Sequence, residues 1–119
     1  MVQELKIAYE SRIAQAKEDF HRGALDLAFK KLEEAHILGQ RYVIPHTTSH
    51  IWMLRIAFRR KDFKEILGQL IRIPGGVIGS LFGVIPTGNT GGANISAFKQ
   101  LPIPKNLEVF LELDRDKLD

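Results

Sequence analysis

Apolar residues recur at helical steps along most of this chain. Between residues 3 and 22, Leu5, Tyr9, Ile13, Ala16 and Phe20 fall three or four positions apart, an apolar stripe on one helix that Gly23 ends. Residues 24–38 repeat the pattern, with Leu25, Ala28, Leu32 and Ala35 on one face and Asp26, Lys30, Lys31, Glu33 and Glu34 largely on the other. Gly39 is the expected C-terminal cap of this second helix. Pro45 restricts the way into a third helix over 46–60, which carries Met53, Leu54, Ala57 and Phe58. Asp62 has the chemistry of an N-cap, and Glu65 completes a capping-box-like pair for a fourth helix over 62–84. An ordered loop over 86–104 then leads to a short helix over 105–113, where Leu107, Phe110 and Leu111 share a side, and to a charged tail, Asp114-Arg115-Asp116-Lys117. The expected fold is all-α: four main helices as antiparallel hairpins, with the loop and a proline-containing C-terminal segment folded back on them.

Composition narrows the picture. A chain of 119 residues with 45% hydrophobic content supports one domain. The net charge of +3 is spread over several segments. Its densest basic cluster, Arg55, Arg59, Arg60 and Lys61, closes a helix, where the dipole favours cations, so no nucleic-acid partner is expected. The absence of cysteine excludes disulfides, thiolate metal sites and cysteine nucleophiles, leaving nitrogen and oxygen as the only metal donors. The N-terminal residues lack a basic stretch followed by an apolar run, which makes the cytoplasm the expected compartment. From Ile73 to Gly88 the chain is uncharged but broken by Pro74, Gly75, Gly76, Gly79, Gly83 and Pro86, too interrupted for a bilayer span of about 20 apolar residues. This segment reads as a bent fourth helix closing the core. The other use open to it is a patch of Ile73, Val77, Leu81 and Phe82 that meets a protein partner or a second copy, with membrane contact the least expected.

The candidate chemistry lies in the histidines. His46 and His50 are one helical turn apart and point the same way. His36 continues the Ala28–Leu32 row to the end of helix two, which a short connection brings against the start of helix three. The three rings can converge on one transition metal, zinc, nickel or copper, with Glu33 or Glu34 as an oxygen donor or hydrogen-bond acceptor. The ordinary use of such histidines, packing and hydrogen bonding at a helix interface, stands beside this, with His46 capping helix three alongside Thr47, Thr48 and Ser49. Glu18-x-x-His21 and Glu33-x-x-His36 repeat the spacing of di-iron bundles, but antiparallel helices of 15 residues hold those ends about 20 Å apart. No nucleophile, histidine and acid grouping accompanies Ser49 or Ser96, so a non-catalytic protein is expected. Gly88, Asn89, Gly91, Gly92 and Asn94 permit positive φ and local side-chain bonds, and thus a shaped loop. Without a lysine in P-loop spacing it is no nucleotide cradle. Ile95, Phe98, Leu101 and Ile103 are expected to tuck into the helix grooves.

Two resemblances add to this reading. Residues 8–40 resemble a tetratricopeptide hairpin, with Gly23 at the inner turn and Ala28, Leu32 and Ala35 in small-large-small spacing, although Gln40 stands where that repeat has proline. Over residues 8–107 the chain resembles the domain-of-unknown-function family 3703, on the strength of Ala35-His36-Ile37-Leu38-Gly39-Gln40, Pro45-His46-Thr47 with His50, Met53-Leu54-Arg55, and the run Pro86-Thr87-Gly88-Asn89-Thr90-Gly91-Gly92-Ala93-Asn94. That resemblance implies a small bacterial domain and no particular reaction.

Overall fold

Three of the helices end on a left-handed residue, and these closures set the course of the chain. The computed structural model describes residues 1–118 and contains α1 (Gln3–His21), α2 (Leu25–Gly39), α3 (Val43–Arg60), α4 (Phe63–Leu81) and α5 (Lys105–Leu118). Gly23 (φ +81°) closes α1: its amide donates to the Phe20 carbonyl and that of Ala24 to the Asp19 carbonyl. The same pair of bonds recurs after α3 around Lys61 (φ 56°) and after α4 around Gly83 (φ +75°). Each satisfies carbonyls that the helix end would leave bare and reverses the chain within a few residues. Asp62 caps α4 as expected, its side chain accepting from the Glu65 amide.

The consecutive pairs α1–α2, α2–α3 and α3–α4 make the largest contacts, and α5 lies against α1 and α2. Leu5, Ala16, Ala28, Leu32, Ala35, Leu38, Met53, Ile56 and Leu107 form the buried centre. Among the described residues, no helix is long and apolar enough to cross a membrane.

Several boundaries differ from the periodicity. Helix α3 begins at Val43, so Pro45 lies within its first turn, where the missing amide has no helical acceptor to lose. The Thr48 and Ser49 hydroxyls donate back to the carbonyls of Ile44 and Pro45, so they cap no amides. Gly39 is the last helical residue rather than a left-handed cap. Its value is close approach: a Cβ there would lie 2.8 Å from Pro45 Cβ and 3.0 Å from the Tyr9 ring. Helix α4 stops at Leu81, and α5 runs on to Leu118. Within it Asp114 is buried, not part of a solvated tail. One carboxylate oxygen accepts from the Val2 amide and the other from the Tyr42 hydroxyl, both at 2.6 Å. Burial and this acid together push the Tyr42 hydroxyl up to about 12. Asp114→Ala strands both donors, and urea unfolding is expected to show a loss of about 2 kcal/mol.

Helix α4 is inside out. Its apolar positions Phe63, Leu67, Leu70, Ile71, Ile78 and Leu81 are exposed, from 50% to 78%, and its one buried residue is Gln69. The expectation that its apolar face closes the core is corrected by these positions. Glu65, Gln69 and Arg72, spaced i, i+4, i+7, form the row turned towards the protein, with Gly76 and Ser80 following on the same side.

Candidate metal centre

His36, His46 and His50 meet in the interior, all buried. Their Nε2 atoms form a near-equilateral triangle: 2.9 Å from His36 to His46, 3.1 Å from His36 to His50 and 3.2 Å from His50 to His46. The short α2–α3 connection brings the two helix ends together, and the one-turn spacing of His46 and His50 aims both rings at His36.

Each outer nitrogen has its own partner. The His36 Nδ1–H donates to the Asn89 carbonyl at 2.7 Å, and the His50 Nδ1–H to Gln69 Oε1 at 2.6 Å. Gln69 cannot turn around to offer its amide instead, because its Nε2 donates to the Gly91 carbonyl at 2.9 Å and to the Glu65 carboxylate at 3.1 Å. A carbonyl and an oriented amide oxygen therefore put the protons of both histidines on Nδ1, leaving two Nε2 lone pairs facing inward. His46 differs: its Nδ1 lies 3.2 Å from Ser80 Oγ, a hydroxyl able to donate or accept. With the Ser80 hydroxyl donating, the His46 Nε2–H points into the triangle and serves both lone pairs. When it accepts, the proton moves to Nδ1 and three lone pairs converge.

Burial drives this cluster to neutrality. His46 and His50 are each pushed down to about 4, chiefly by desolvation, with the neighbouring His46 adding to the effect at His50. His36 is lowered well below its ordinary value by burial and then by its two neighbours. Near pH 7 the site is a set of uncharged nitrogen donors, the form a metal requires.

The glycine-rich loop supports the cluster. Asn89 is buried; its Oδ1 accepts from the Gly91 amide and its Nδ2 donates to the Ser96 and Lys99 carbonyls, all at 2.8 Å. This fixes the loop while the Asn89 carbonyl remains for His36. Gly91 (φ +88°) lies flat on the His36 ring, where a Cβ would be 2.6 Å from Cδ2. At Gly88 (φ +78°) a Cβ would meet the Leu101 carbonyl oxygen at 1.9 Å. Gly92 is buried beside the Asn94 side chain, and Asn94 itself is exposed. On α4, Gly76 allows the helix to close over His46, since a Cβ would be 3.1 Å from its Cε1.

Glu33 does not join the cluster. Burial raises the pKa of its carboxyl. Of the apolar patch, Ile73 and Val77 are half-buried while Leu81 and Phe82 are 70% and 80% exposed. Phe98, expected in a groove, is also 80% exposed, whereas Ile95, Leu101 and Ile103 are half-buried. The basic cluster is engaged locally: Arg55 stacks over Trp52 at 4.1 Å, Arg59 donates to the Phe20 carbonyl and Arg60 pairs with Asp26.

The three histidines open on a cavity of about 190 Å³, bordered on the α4 side by Ile71, Arg72, Gly75 and Gly79. Gln69 and Ser80 are the site residues that histidine spacing alone does not reveal, and Arg72 borders the cavity beside them without touching a histidine nitrogen. The available signal was a polar row on an otherwise apolar helix. Gln69→Leu removes the oxygen that orients the His50 ring.

Fold and site together define an all-helical protein built around a buried three-histidine cluster. The chain belongs to the family described as protein of unknown function (DUF3703), whose model matches residues 3–111. No curated protein and no solved structure matches it.

Proposed function

We propose that this protein binds one transition metal ion, zinc, nickel or copper(II), through Nε2 of His36, His46 and His50. The observation that carries this reading is the meeting of three neutral imidazoles through one type of nitrogen, with an acceptor fixing the outer proton of two of them and a hydroxyl adaptable to the third. A circle through three nitrogens 2.9–3.2 Å apart has a radius of about 1.8 Å, so a metal bonded at about 2.0–2.1 Å sits about 1 Å off their plane. Nitrogen donors without carboxylates favour zinc, nickel or copper over magnesium or calcium. Three protein ligands leave a further position for water or another ligand, in contrast to closed four-ligand structural sites. Protein purified without a histidine tag is expected to take up about one zinc or nickel per chain, and the His36→Ala/His46→Ala/His50→Ala variant none. Equal uptake by both proteins rules the reading out.

A second reading has its own support. The exposed apolar face of α4, from Phe63 through Leu67 and Ile71 to Leu81, forms one continuous stripe on a 19-residue helix, as expected of a face covered by α4 of a second copy. Light scattering reporting a dimer that Leu67→Lys converts to monomer supports it; a monomer at high concentration rejects it.

A further inference from the structure

Arg72 stands one helical turn beyond Gln69 on the same row of α4 and borders the cavity beside the histidines. Its Nη2 donates to the Ile95 carbonyl at 2.6 Å, which holds the guanidinium in place. Among the described residues no carboxylate forms an ion pair with it. Its Nε is buried with no hydrogen-bond partner. A guanidinium charge on a cavity wall with no carboxylate beside it is unfavourable, and an anion in the cavity offsets that charge. Most of the other cavity wall is apolar or bare backbone, Ile71, Val84, Ala97 and Phe98 with Gly75 and Gly79, while the amides of Gln40 and Asn89, which also border it, already donate to the Pro86, Ser96 and Lys99 carbonyls. At about 30 Å³ per water-sized group, a cavity of about 190 Å³ has room for about six.

We propose that the cavity binds a short-chain carboxylate, with one oxygen on the metal's remaining position, the other on Arg72, and the hydrocarbon body against Ile71, Val84 and Phe98. The inference rests on the metal reading above and adds to it the class of ligand. A divalent metal and an unpaired guanidinium on one cavity call for negative charge. The apolar remainder disfavours a fully hydrated inorganic anion, which would have to give up its water without replacement.

Cobalt(II)-loaded protein tests this, because its visible absorption bands respond to a change in the metal's ligands. Butyrate is expected to shift the bands saturably and to bind at least tenfold more tightly than either acetate or inorganic phosphate. Arg72→Gln should still hold one cobalt per chain while binding butyrate at least tenfold more weakly. Arg72→Lys, which keeps the charge without the planar guanidinium, should fall between the two and serves as the deciding variant if Arg72→Gln does not fold. Bands unmoved by butyrate, tighter binding of phosphate, or undiminished butyrate affinity in the folded Arg72 variants overturn the carboxylate inference alone. Failure of zinc and cobalt alike to bind overturns the metal reading, and the inference with it.

Discussion

Zinc at a hundredfold excess over its dissociation constant is expected to raise the melting temperature of the metal-free protein by about 10–15 °C. The linkage is direct: a ligand held only by the folded chain at 100 times its Kd adds about 2.7 kcal/mol, and each kcal/mol moves the midpoint of a domain this size by about 4–6 °C. The three nitrogens come from two helices, and their outer partners come from α4 and the loop, so the unfolded chain cannot reproduce the site. His50→Ala should abolish most of the shift and weaken zinc binding by more than the tenfold to hundredfold attributed to an outer partner such as Gln69. Scanning calorimetry of both proteins with and without zinc provides the check. An equal shift in wild type and variant would place the metal elsewhere.

Acid should unfold the metal-free protein well above the usual carboxylate range. His46 and His50 titrate near 4 when folded and near the ordinary value of about 6.5 when unfolded. Between those values the unfolded chain takes up protons that the folded chain refuses, so stability falls as pH falls. It is complete above about 6.5, drops through the interval and levels off below about 4. Each of these two histidines then contributes a loss of about 3 kcal/mol at order-of-magnitude precision, and His36 acts in the same direction. Domains of this size hold only about 5–15 kcal/mol in total, so helicity followed by circular dichroism should collapse between about pH 6 and 4. His46→Leu should move the midpoint to lower pH, because a neutral side chain takes up no proton. Stability unchanged from pH 7 to 4.5 would contradict the burial argument.

Much of the site was legible because its chemistry is local. One-turn spacing aligned His46 with His50, and a short connection brought His36 to them. The Gly88–Asn94 run announced a shaped loop, although its task, an Asn89 carbonyl and a bare Gly91 backbone against His36, depends on contacts more than 50 residues apart in the chain. Helix α4 was misread for a definite reason. Periodicity locates an apolar face but does not say which face the protein covers, and here the polar row of Glu65, Gln69 and Arg72 is the one turned inward. Asp114 was misread similarly, since nothing near it in sequence indicates that Val2 and Tyr42 donate to it.

X-ray absorption of the protein carrying one equivalent of zinc reads the ligand set itself. Three imidazole nitrogens at about 2.0–2.1 Å and one further light ligand are expected. An oxygen-only shell, or one with fewer than three imidazoles, would contradict the three-histidine metal site.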